Sequence, residues 1–155
     1  MEGVGVKIVL QRVKKAKVLV EGKTAGEIGT GVCLLVGIEK GDREVEADYL
    51  ADKVIGLRIF PDEQGKMNLS LMETGGSILA VSQFTLAASI KKGRRPSFDQ
   101  AESPEQAARL FNYFVERLKT SGLKVETGVF QAMMDVYLIN DGPVTFILDS
   151  KMKHL

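Results

Sequence analysis

The sequence predicts an α+β fold: a single domain spanning residues 1–155, with a mainly antiparallel, curved or barrel-like sheet and two main helices. Three observations lead there. Segments rich in β-branched residues recur along the whole chain, about eight in all. Only two stretches carry the apolar periodicity of an amphipathic helix. The two kinds of segment do not alternate, which argues against parallel βαβ units. A length of 155 residues, 45% hydrophobic and 26% charged, is ordinary for one domain with a real core.

The elements follow in order. "VKIVLQRV" (6–13) and "AKVLVEG" (16–22) read as two early strands paired with each other; in the second, Ala16, Val18 and Val20 alternate with Lys17, Leu19 and Glu21. "GVCLLVGI" is continuously apolar from Val32 to Val36, which suits a strand buried on both faces at the centre of the sheet. After Gly41, the acids Asp42, Glu44 and Glu46 favour the start of a helix, and Ala47, Leu50, Ala51, Val54 and Leu57 share one face. "LRIF" leads into the turn "PDEQGKMN", and "SILAVSQFTLA" reads as another strand. In "SPEQAARLFNYFVERLKTSG", Ser103 is the expected N-cap, Pro104 the first helical residue, Gln106 the partner in a capping box and Gly122 the stop. Ala107, Leu110, Phe111, Phe114 and Leu118 form that helix's core stripe. "LKVETGVF", "MDVYLIN" and "VTFILDS" supply about three more strands. The link "NDGPVT" resembles a hairpin turn, yet Pro143 stands where the returning strand should begin.

Composition removes several function classes. Twenty-one Lys and Arg against twenty Asp and Glu leave a net charge of +1, so no overall field draws the chain onto DNA or an anionic membrane. Any nucleic-acid contact is then local. Residues 1–15 show no basic stretch preceding an apolar run, so neither a signal peptide nor a membrane span is supported and a cytoplasmic protein is expected. Cys33, inside an apolar run, is expected to be a buried small residue rather than a nucleophile. The one histidine, His154, is next to the C-terminus, a poor place for half of a catalytic pair. So few His and Cys, and no Asp-rich loop of calcium spacing, argue against a metal. "GEIGTG" and "METGG" lack the context of a dinucleotide fold and there is no phosphate loop, so no cofactor is expected.

Three segments exceed core and surface duty. "SQFTL" (82–86) puts polar groups at the end of an apolar strand, where Ser82 and Thr85 are either ordinary strand residues or site residues. "KKGRRPSF" (91–98) groups four cations about a glycine, a loop that is either solvated or suited to phosphate. The third is "NDGPVT".

With "ETGVF", "QRV", "GEIGTG", "GIEKGD" and "LRIFPDEQGKMNLS", these segments closely resemble the D-aminoacyl-tRNA deacylases, also called D-tyrosyl-tRNA deacylases, over nearly the whole chain. The resemblance implies a homodimeric hydrolase that cleaves the ester joining a D-amino acid, or glycine mischarged on tRNA-Ala, to the 3'-terminal adenosine of tRNA. It implies that the Gly142–Pro143 bond is cis and that this pair, with Asn140, enters the active site of the other subunit. There the carbonyls receive the substrate ammonium while backbone fills the space of an L side chain. Ser82, Gln83, Phe84 and Thr85 would line the same pocket, with amides around Gln83 and Phe84 facing a developing oxyanion and the substrate 2'-hydroxyl assisting. Thr85 is read as a positioning group, with a covalent nucleophile as the alternative. Arg94 and Arg95 would contact tRNA, and Phe130, Ala132, Met133 and Met134 would lie near the terminal adenosine. The family has glycine where Gln131 stands, so a narrowed or reshaped wall is expected there. A non-catalytic module that binds aminoacylated RNA ends is the rival reading.

Overall fold

The computed structural model describes residues 6–151. Its main sheet contains β1 (Lys7–Val20), β2 (Lys23–Ile28), β3 (Gly31–Gly37), β6 (Ser77–Ser82), β7 (Val125–Thr127) and β8 (Asp135–Asp149). A small hairpin pairs β4 (Phe60–Pro61) with β5 (Met67–Leu69). The helices are α1 (Glu44–Gly56), the short α2 (Leu71–Thr74) and α3 (Pro104–Lys119). The strand order is β2-β1-β3-β6-β7, with β8 also on β1. Pairings of β1 with β2, β3 and β8 are antiparallel; β3–β6 and β6–β7 are parallel. The sheet is therefore mixed, with antiparallel pairs in the majority.

Curvature brings β2 round to β7. A Cβ on Gly26 would stand 2.4 Å from the Thr127 carbonyl oxygen, so only glycine permits the near-closure of the barrel. Closure divides the apolar residues into two cores. Val13, Ala16, Val18, Ile28, Cys33, Leu79 and Val81 fill the lumen. On the outer face, Ile8, Leu10, Val32, Leu34, Val36 and Ile78 meet Leu50 and Val54 of α1 and Leu110, Phe114 and Leu118 of α3. Both faces of β3 are thus covered, as its continuous apolar run predicts. The two long helices run side by side in the same direction, shown by bonds of Arg109 to Glu44, Tyr113 to Asp48 and Arg117 to Asp52.

Several expectations change. The two early strands are one: β1 continues through Lys14 and Lys15, where irregular register passes the buried row from Ile8, Leu10 and Arg12 on the helix side to Val13, Ala16 and Val18 in the lumen. Its hairpin partner is β2, from "KTAGEI". "NDGPVT" is not a hairpin, because β8 runs through it as one strand against β1, so the tail holds two strands rather than three. The strand in "SILAVSQFTLA" stops at Ser82, and Phe84–Ala87 form a 3-10 turn. Ser103 and Gln106 form no capping box, since Gln106 accepts from Arg109 Nε at 3.0 Å instead. At α1 the reciprocal contact is Arg43 N–H to Glu46 Oε1 at 2.9 Å, and Leu57 is extended beyond the helix end. His154 and the first five residues of the N-terminal reading lie outside the described residues. No helix of the described residues is long and apolar enough to cross a membrane.

Candidate active site

The 82–87 segment is shaped by its neighbours on β3. Gln83 N–H donates to Val36 O at 2.7 Å, extending the parallel register one residue past β6 before the chain turns. The turn lies close against Gly37, where a Cβ would come within 2.7 Å of Leu86 Cβ and 3.2 Å of Gln83 O. Gln83 Nε2 donates to Thr85 Oγ1 at 2.7 Å. The Thr85 hydroxyl thus accepts from an amide and keeps its own proton to donate outward. The amide of Gln83 is already bonded, so it is not a free oxyanion donor; those of Phe84 and Thr85, at the start of the 3-10 turn, have no partner among the described residues. These two, one residue further along than the sequence indicated, are the open donors.

Phe84 is 61% exposed and its ring centre lies 5.3 Å from that of Phe98. This contact ties the turn to the basic loop, whose base is closed by the Ser89–Ser97 backbone bonds of 2.7 and 2.8 Å. Arg94 and Arg95 are exposed on that loop and make no ion pair among the described residues. Ser82, Gln83, Phe84, Thr85 and the loop carrying Arg94 and Arg95 therefore form one group.

A second group lies midway along β8. The register against β1 passes from Val13↔Asn140 to Gln11↔Thr145, so four residues of β8 bulge opposite Arg12 alone. Gly142 and Pro143, joined by a cis peptide, are exposed on this bulge, while Val144 returns to the core. Arg12 holds the bulge from behind. It is only 9% exposed, and its Nε donates to Asp141 O at 3.0 Å and lies 3.3 Å from Asp141 Oδ2. Its Nη1 donates to Ile59 O at 2.5 Å, and its guanidinium lies 6.0 Å from the Phe60 ring centre. Asn140 stands against Gly142, where a Cβ would be 2.3 Å from Asn140 Nδ2. Among the described residues no hydrogen bond joins this group to Thr85.

The four residues expected near adenosine separate. Phe130 is half-buried with its ring 6.4 Å from Phe111, Ala132 is half-buried, and Met133 is 92% exposed. Met134 is half-buried and packs against the lumen core. Gln131 adopts φ +63°, in the left-handed region that favours glycine. The residue is exposed.

Charge is perturbed elsewhere. Glu39, 2% exposed, pairs with Lys7 Nζ at 3.3 Å, yet burial still raises its pKa. Asp42 Oδ2 accepts from Glu39 N–H at 2.6 Å, and burial pushes Asp42 up to about 7. Burial likewise takes the Cys33 thiol to about 11, away from thiolate chemistry. Among the described residues, no group of three or more His, Cys, Asp and Glu is arranged to hold a metal.

Open backbone donors beside an oriented hydroxyl, on a barrel-like α+β scaffold, are groups of the kind that can stabilise negative charge developing on an oxygen. A family model described as D-Tyr-tRNA(Tyr) deacylase matches residues 9–149, and the chain belongs to that family. It is 57% identical over 147 residues to the D-aminoacyl-tRNA deacylase of Geobacter sulfurreducens, covering 95% of this chain and 97% of that one. The D-aminoacyl-tRNA deacylase of Bacillus velezensis is 59% identical over 145 residues, 94% of this chain and 99% of its own. Among solved structures, the c-Myc DNA Unwinding Element Binding Protein superposes with a TM-score of 0.86 at 42% identity, covering 92% of this chain and 97% of the other.

Arg12 and Gly37 are the positions that sequence reading missed. Arg12 had a signal: it continues the buried row of Ile8 and Leu10, where a cation requires buried partners.

Proposed function

We propose that this protein hydrolyses the ester bond of D-aminoacyl-tRNA in the cytoplasm, releasing the D-amino acid and free tRNA. The family match carries the reading, and the open amides of Phe84 and Thr85 give it a chemical site. Water adds to the ester carbonyl carbon, the oxygen turns anionic against these donors, and the bond to the ribose 3'-oxygen breaks as that oxygen takes a proton. Donors fixed before the reaction need no reorganisation, and losing one oxyanion donor typically costs about 10²–10³ in rate. Thr85, bonded to Gln83 Nε2 and contacted by no base among the described residues, orients substrate or water rather than attacking. The ribose 2'-hydroxyl of the substrate assists the proton traffic.

Selection belongs to a second copy of the chain. Along β8, Tyr137, Leu138, Ile139, Phe146 and Ile147 are all more than a third exposed, an apolar surface suited to a homodimer. The exposed Gly142–Pro143 bulge with Asn140, held by Arg12, then enters the partner's site, receives the substrate ammonium and leaves no room for an L side chain. Glycine escapes this exclusion, so glycyl-tRNA mischarged on tRNA-Ala is also cleaved. Arg94 and Arg95 contact tRNA, and Phe130, Ala132, Met133 and Met134 border the adenosine.

The test is ester loss from D-tyrosyl-tRNA, with L-tyrosyl-tRNA as control. Rapid loss of the D ester alone is expected; intact D ester at high protein concentration would leave a binding module. Thr85→Ala should reduce the rate partially, and a trapped acyl-enzyme would restore the nucleophile. A tRNA ending in 2'-deoxyadenosine should react much more slowly.

A further inference from the structure

We propose that the cleft between the 88–101 loop and the adjoining ends of β1 and β8 holds the phosphodiester backbone of the tRNA acceptor strand, upstream of the terminal adenosine. This rests on the reading above. Three observations carry it.

The first is size. The cleft encloses about 1430 Å³, whereas small-molecule pockets are about 300–1,000 Å³, so it suits a stretch of polymer. The second is position. Its wall begins at Ala87 and Ala88, where the turn bearing Thr85 ends, so a strand with its 3' end at Thr85 has this channel beside it.

The third is charge. Lys7, Arg43, Lys91, Lys92 and Lys151 line the cleft against Glu39, Glu46 and Asp99, five cations to three anions, a difference of +2 in a chain of net +1. Not all five are equally available. Glu39 holds Lys7 at 3.3 Å and Glu46 holds Arg43 at 3.1 Å, while Lys151 lies 3.8 Å from Asp149. Lys91 and Lys92 are exposed and make no ion pair among the described residues. They are the cations free to meet phosphates, and a cavity this large favours spaced phosphates over one small anion.

The experiment compares two substrates, D-tyrosyl-tRNA and the D-tyrosyl ester of adenosine alone, with wild type and the doubly substituted Lys91→Gln, Lys92→Gln protein. On tRNA, kcat/KM is expected to fall about tenfold at low salt, mainly through KM, with the two proteins converging as salt screens the attraction. The log–log salt slope should flatten by about 0.7 for each phosphate left without its lysine. On the short ester the two proteins should be equal. An unchanged kcat/KM on tRNA, or an equal loss on both substrates, would overturn the proposal. Wild type inert towards both esters would instead sink the hydrolase reading; equal retention of tRNA by the two proteins on a filter would then overturn the cleft.

Discussion

β3 and β8 are written in similar letters and meet opposite environments. "GVCLLVG" is enclosed by the lumen on one face and by the helices on the other. "VYLI" and "TFIL", no less apolar, leave Leu138 41% and Ile147 67% exposed. The difference comes from neighbours: β3 lies between β1 and β6, whereas among the described residues β8 pairs with β1 alone. Apolar content therefore marks a strand without telling which of its faces the fold itself covers.

The contrast breaks most visibly under truncation. Leu34→Ala in β3 should destabilise the protein by about 2–5 kcal/mol, read from the urea midpoint. Ile147→Ala in β8 should cost the isolated protomer less than about 0.5 kcal/mol; comparable losses would erase the distinction. Charge on β8 tests function: Ile139→Lys with Ile147→Lys should give a folded monomer in sedimentation with D-ester hydrolysis reduced roughly 100-fold if, as proposed, a second copy completes the site. A fully active monomer would refute the composite site.

Arg12→Ala removes the anchor behind Asp141, and should cost about 1–3 kcal/mol together with selectivity between D and L esters. Arg12→Lys should restore little, because one ammonium cannot make the several directed bonds of the guanidinium. Unaltered selectivity in both variants would detach Arg12 from the bulge. The smallest effect lies just beyond β3. Asp42 ionises near 7 in the fold against an ordinary 3.8, so between those values the folded chain keeps a proton that the unfolded chain releases. Stability contributed by this group is thus complete at about pH 4 and falls as pH rises through 7. Asp42→Asn should make the urea midpoint less dependent on pH from 5 to 8; an identical slope would exclude Asp42 as the cause.

Much of this was legible in the chain. The central placement of β3, both long helices and the α+β class follow from periodicity, which reports one residue's relation to its near neighbours. What periodicity misses is phase: Lys14 and Lys15 look like a break between strands, yet they are a bulge within one. "NDGPVT" carries every local sign of a turn, but pairing with β1 overrides them. In the candidate site the segments were visible and their bonding was not. Which amide of "SQFTL" is free depends on Val36, far away in sequence, and Arg12 acquires its role only when Asp141 and Ile59 are brought beside it. Gln131 shows the converse, since its left-handed backbone angle leaves no mark in the local apolar pattern.

β1 has consequences for exchange with heavy water. It bonds to partners along both edges, so its amides should exchange only when the whole molecule opens. Those of β8 that point away from β1 have no such shelter. Slowing of deuterium uptake at alternate β8 positions as protein concentration rises would therefore trace, amide by amide, where a second copy settles.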